Sequence, residues 1–177
     1  MEKPTFMQSF NLEFINCIRS NHALEHATFH VLEGKGQKAP LFGLSDAGGF
    51  WVVGNVPAGL LLDSAHEGLT RLQGGEAKLA LHENCGTNLV ATGAIAGGLG
   101  WLAMLGSGKG FFRKLERLPL VVMLTSIGLI IAQPLGPVIQ EKITTLPNGQ
   151  KRAVVSVQRW GFGPWTIQRI ITRPVES

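Results

Sequence analysis

Two long stretches without charge constrain this chain more than any other feature. No Asp, Glu, Lys or Arg occurs from Asn84 to Gly108, and none from Leu118 to Gln140. Each stretch is long enough to cross a hydrocarbon core of about 30 Å, which takes about 20 residues. Within them, Leu89–Leu105 and Leu118–Ile139 read as two spans, the first richer in glycine. A pair of buried core helices is the other way to hide such segments, but 177 residues offer little protein to surround both. The linker is short and carries Lys109, Arg113, Lys114 and Arg117. The expectation is a transmembrane helical hairpin over 88–140. An N-terminal α+β segment, 1–87, precedes it and a C-terminal β segment, 141–177, follows it.

Small residues four apart let helices approach closely, so Gly93 and Gly97 are expected where the spans touch. Pro119 suits a first helical turn, whereas Pro134 and Pro137 should end or kink the second span. Only 16% of residues are charged, against about 25% in soluble domains. With a net charge of +4, that composition favours a lipid bilayer partner over nucleic acid. Phosphate-loop, nucleophilic-triad and nucleic-acid motifs are absent, and the uncharged spans argue against a transporter. Cys17 and Cys85 are too few for a disulfide scaffold and read as reduced thiols.

Two signals oppose each other on orientation. The basic linker favours a cytoplasmic loop. The N-terminal segment lacks the uninterrupted apolar run of a cleaved leader, which favours keeping it in the cytoplasm. We expect both termini on the same side, the cytoplasmic one.

Outside the spans, Phe10–Glu33 has helical spacing and stops at Gly34 and Gly36. Phe50–Val53 reads as a strand. Leu61 to Leu72 reads as a second helix closed by Gly74 and Gly75. Ala77–His82 alternates like a short strand. Lys142–Leu146, Ala153–Val157 and Thr166–Arg173 read as three more, with a turn at Pro147-Asn148-Gly149. The two tails share a side of the membrane, so they are expected to build one small α+β domain on the two-helix anchor. Trp160 and Trp165 beside Arg159 and Arg169 suit either the headgroup layer or a sheet packed on that domain.

The chemistry concentrates in the first helix. His22, His26 and His30 recur every four residues, so they line one face, with Glu25 on its shoulder. His82 and Cys85 have the spacing of a metal half-site. Imidazole and thiolate suit Zn²⁺, so His22, His26, His82 and Cys85 are candidate ligands, with His30 as a substitute. The same histidines can also be read as a polar face paired with Glu25, Glu33 and solvent, with Thr87 or Asn88 capping the first span.

Two resemblances add to this. His22-Ala23-Leu24-Glu25-His26 resembles the inverted zinc motif of insulin-degrading and mitochondrial-processing peptidases. That resemblance implies His22 and His26 as ligands and Glu25 as the catalytic base. Glu67, Glu76 and Glu83 are open choices for a third ligand. More broadly, four segments followed by two spans resemble an uncharacterised bacterial membrane-protein family of cyanobacteria and Chloroflexi. These are Asn21–Thr28, Gly49–Trp51, Arg71–Glu76 and His82–Leu89. That resemblance implies an inner or thylakoid membrane and no particular activity. Two readings follow: a metal-binding assembly or accessory factor of a membrane complex or homo-oligomer, and a membrane-tethered zinc hydrolase.

Overall fold

The computed structural model describes residues 6–108, 110–147, 152–162 and 165–175. The chain forms two compact units. The first joins Met1–His82 to Glu141–Ser177, and the second is Glu83–Gln140.

The first unit is a mixed α+β fold. Helix α1 (Phe6–Gly34) leads through an antiparallel pair, β1 (Phe42–Asp46) and β2 (Gly49–Val53), into α2 (Ala58–Gln73). The C-terminal segment returns as β3 (Arg152–Phe162) and β4 (Trp165–Pro174). The four strands form one antiparallel sheet in the order β1-β2-β4-β3. The C-terminal hairpin therefore completes a sheet begun by the N-terminal one.

Alternation along the strands decides which side meets the helices. Phe50, Val52, Val154 and Ile170 turn inward and pack with Leu24, Leu32, Leu61 and Leu72 of α1 and α2. Full burial of a side chain such as Phe50 contributes about 2–3 kcal/mol. Small residues set the spacing of the helices. A Cβ at Gly68 would sit 3.0 Å from the Ala27 backbone carbonyl carbon, so α2 lies tight against α1 there. Polar groups tie the two tails together inside the unit. The Thr172 hydroxyl donates to Asn21 Oδ1 at 2.8 Å, and Asn21 Nδ2 donates to the Asp46 carbonyl at 2.7 Å. Gln168 Nε2 donates to the Val56 carbonyl at 2.7 Å.

The second unit is a helical hairpin. Helix α3 (Gly86–Met104) packs against α5 (Leu118–Ala132), after a short α4 (Phe111–Glu116). Contacts pair Ala96 with Gly128 and Gly100 with Thr125, so α3 and α5 run antiparallel. Helix α6 (Leu135–Ile139) continues α5 after a 49° bend at Pro134. At the open end, Gln140 Nε2 donates to Asn88 Oδ1 at 2.6 Å.

Several sequence expectations need correction. Ala77–Ala80 is a 3₁₀ turn, not a strand, because the Gly75 and Glu76 carbonyls take the local amides. Gln140–Thr144 is a wide π-type turn where a strand was expected. Its neighbour Leu146 donates its amide to the Arg19 carbonyl on α1 rather than to a sheet. Asn148 and Gly149 of the expected turn lie outside the described residues. Strand β1 was missed: its two interior residues most exposed to solvent, Gly43 and Leu44, break the usual alternation. In the hairpin, Gly93 and Gly97 face open space. Gly100 and Gly128 make the close contacts instead. The first residue before α3 is Cys85, whose sulfur accepts the Thr87 amide at 3.4 Å, so Cys85 takes the capping place expected of Thr87 or Asn88. One helix, α3, is long and apolar enough to cross a membrane by length and composition. The bent α5–α6 pair qualifies only if counted as a single span.

Candidate metal centre

The site grows from the second half of α1. From Ser20 onward this helix is largely buried. Ala23 and Leu24 join the hydrophobic core, and a four-residue step leaves His22, His26 and His30 on a different face. Two other segments of the same unit close over that face. Arg19 donates to the carbonyls of Lys142 and Thr145, both at 3.1 Å, and so holds the 142–145 turn against the helix. The segment Ala80–His82 lies along the rest.

Each helix histidine meets one backbone carbonyl. His22 Nδ1 lies 3.0 Å from Thr144 O, His26 Nδ1 2.6 Å from Ala80 O, and His30 Nε2 2.7 Å from Leu81 O. A carbonyl oxygen only accepts, so the ring nitrogen facing it must carry the hydrogen. In a neutral imidazole the opposite nitrogen then presents a lone pair. This is the arrangement that orients metal-ligating histidines, where an outer hydrogen bond fixes the ring and its tautomer. His26 carries it furthest. The ring is 1% exposed, and its Nε2 has no hydrogen-bond partner among the described residues. An isolated buried acceptor costs about 1–3 kcal/mol, unless something completes it.

The histidines also crowd one another. The rings of His22 and His26 are 4.3 Å apart between centroids, those of His26 and His82 5.7 Å, and those of His30 and His82 4.9 Å. Ligand atoms of His22 and His26 lie within 4.8 Å of each other, as do those of His30, Glu33 and His82. The unit thus contains side-chain groups that could hold a metal ion.

Three carboxylates expected at the site, those of Glu25, Glu67 and Glu76, are engaged elsewhere in the first unit. Glu25 is buried and turns to the sheet: Ser45 on β1 donates its hydroxyl to Glu25 Oε2 at 2.7 Å. Gly43 makes room for it, since a Cβ there would overlap the carboxylate. Cys85 is a buried thiol in the second unit. Glu67 pairs with Lys35 at 2.8 Å and Glu76 with Arg71 at 2.6 Å, so both carboxylates are engaged in salt bridges. Arg71 holds the Glu76 carboxyl below its ordinary range, chiefly through that hydrogen bond. Glu33 is the ligand-capable residue that sequence reasoning missed, having been read only as a surface partner of the histidines. Its spacing of three from His30 was the available signal.

Residues 17–157 match the model of the domain of unknown function DUF6391, which spans the helix α1 histidines, the hairpin and half of β3. This chain belongs to the DUF6391 family. It is also 38% identical over 98 residues to an uncharacterized protein of the cyanobacterium Picosynechococcus sp., a match covering 48% of each chain. The matched part therefore spans about half the length of that curated relative. No solved structure matches. These similarities agree with an uncharacterised bacterial family, and within this DUF6391 member the matched region includes every histidine of the cluster.

Proposed function

We propose that this protein is a membrane-anchored metal-binding protein whose α+β unit holds Zn²⁺ through His22 and His26. It serves as an assembly or accessory factor for a membrane complex. The observation that carries the metal reading is the buried, unpartnered Nε2 of His26, set by the Ala80 carbonyl as a lone-pair donor. His22 stands beside it with its own Nδ1 held by Thr144. Imidazole nitrogen is a good zinc donor, and fixed tautomers raise affinity. Cys85, three residues after His82 in the sequence, is the thiol to test as a further ligand. The engagement of Glu25 with Ser45 favours this non-catalytic reading over a hydrolase with Glu25 as its base.

The membrane reading rests on α3 and on the α5–α6 pair, which expose Leu89, Val90, Trp101, Val122 and Ile130 over an uncharged surface. Contiguous exposed apolar surface of this kind suits lipid. In this reading the hairpin crosses an inner or thylakoid membrane, and both termini stay in the cytoplasm. Carbonate extraction of membranes tests the anchor: the protein is expected in the pellet, and release without detergent would overturn a spanning hairpin. Elemental analysis of the protein purified in detergent tests the metal, with zinc expected in wild type and lost in His26→Ala.

A further inference from the structure

The sequence groups His30 and His82 with the other candidate ligands of a single centre. The geometry separates them. His82 Nε2 lies 3.1 Å from Glu33 Oε1, and His30 Nδ1 lies 3.8 Å from Glu33 Oε2. The ligand atoms of these three residues fall within 4.8 Å of one another, and the group includes neither His22 nor His26.

We propose that His30, Glu33 and His82 form a second site for a divalent transition metal, one that faces solvent and exchanges its ion readily. Two arguments carry it, both independent of the buried His22–His26 pair.

The first is the state of His30. Its Nε2 donates to the Leu81 carbonyl, so in the neutral ring Nδ1 is an acceptor. That acceptor faces a carboxylate, which is also an acceptor. Two acceptors 3.8 Å apart leave a gap that a shared partner fills, either a bridging water or a metal ion. The second is the donor set. Zinc ligand atoms sit about 2.0–2.2 Å from the ion, which places neighbouring ligands roughly 3–4 Å apart. The two separations to Glu33 already fall in that range. Two imidazoles and one carboxylate form a set that binds divalent zinc or iron and leaves coordination positions open.

Position in the fold gives the two sites different character. The side chains of His30 and Glu33 are 33% and 53% exposed, whereas His26 is 1% exposed. Water can reach an ion at Glu33 and assist its exchange. The two sites also share a support. Ala80 fixes His26, Leu81 fixes His30, and the next residue is His82 itself. One three-residue segment therefore orients ligands of both.

The test is Zn²⁺ equilibrium dialysis on the full chain in detergent. Wild type is expected to bind one equivalent that resists a weak chelator and a second that the chelator removes. Glu33→Gln keeps an exposed side chain of the same shape and is expected to weaken the second equivalent at least tenfold while sparing the first. His26→Ala should do the reverse. Loading with Co²⁺ gives a second readout: Glu33→Gln should lose part of the visible absorption of bound cobalt. A Glu33→Gln isotherm that superimposes on wild type would overturn the proposal and leave Glu33 as a salt-bridge partner only. Glu33-dependent binding in a protein whose His26 holds no metal would instead overturn the buried site and sustain this one.

Discussion

His26 Nδ1 lies 2.6 Å from the carbonyl oxygen of Ala80, 54 residues further along the chain. This contact ties the α1 helix to the 80–82 segment and selects the tautomer of the neutral ring. The apoprotein should therefore hold His26 as the Nδ1–H tautomer. Nitrogen-15 NMR of histidine-labelled, chelator-treated protein reads this directly. A dominant Nε2–H form would remove the basis for its lone pair.

Asn21 is fully buried between Thr172 of β4 and the Asp46 carbonyl of β1. Asn21→Ala removes both of these hydrogen bonds, leaving the Thr172 hydroxyl with Arg152 Nε as its remaining partner. A loss of about 1–3 kcal/mol is expected, before relaxation. Chemical denaturation followed by tryptophan fluorescence measures it. A variant as stable as wild type would show that the N- and C-terminal segments do not depend on this link.

The hairpin contact makes opposite predictions for two glycines. A Cβ at Gly128 would lie 2.8 Å from the Ala96 Cα, whereas Gly97 has nothing within 4 Å. Gly128→Leu should force α3 and α5 apart and lower accumulation of the protein. Gly97→Leu should be tolerated. Overpacking of this kind costs about 1–3 kcal/mol. Thermal stability in detergent separates the two, and equal sensitivity would contradict the packing.

Much of this was legible in the sequence because it rests on local pattern. Four-residue spacing placed the histidines on one face of α1, uncharged runs marked α3 and α5, and Pro134 marked the bend. What escaped depends on contacts distant in the chain. Strand β1 lacks clear alternation and is specified by pairing with β2, Leu44 opposite Trp51. The choice of Gly128 over Gly97 depends on rotation of the helices, which a glycine count does not encode. Within the site, the carbonyls of Ala80, Leu81 and Thr144 belong to the backbone, so no side-chain motif announces them. Glu25 shows the converse: its place in a zinc-like string is local, yet Ser45 on a missed strand takes its carboxylate.

The Arg71–Glu76 pair gives a small pH effect with a defined sign. Arg71 donates through Nε at 3.0 Å and through a second nitrogen at 2.6 Å, which lowers the Glu76 carboxyl below its ordinary value. A carboxyl depressed in the folded state stabilises above its unfolded range, and that contribution is lost as pH falls through the folded value. Glu76→Gln should therefore differ slightly from wild type near neutral pH and converge with it in acid. Because the pair is exposed, salt should shrink the difference. A gap that widens on acidification would contradict the assignment.

The most direct measurement is metal content by mass spectrometry of the full chain purified in detergent without added metal, beside His26→Ala and a Lys142→Ala control. Zinc in wild type and in the control, with loss in His26→Ala at retained fold, is the predicted result. Equal metal in wild type and His26→Ala, or none in a folded wild type that also fails to take up added Zn²⁺, would contradict the buried site.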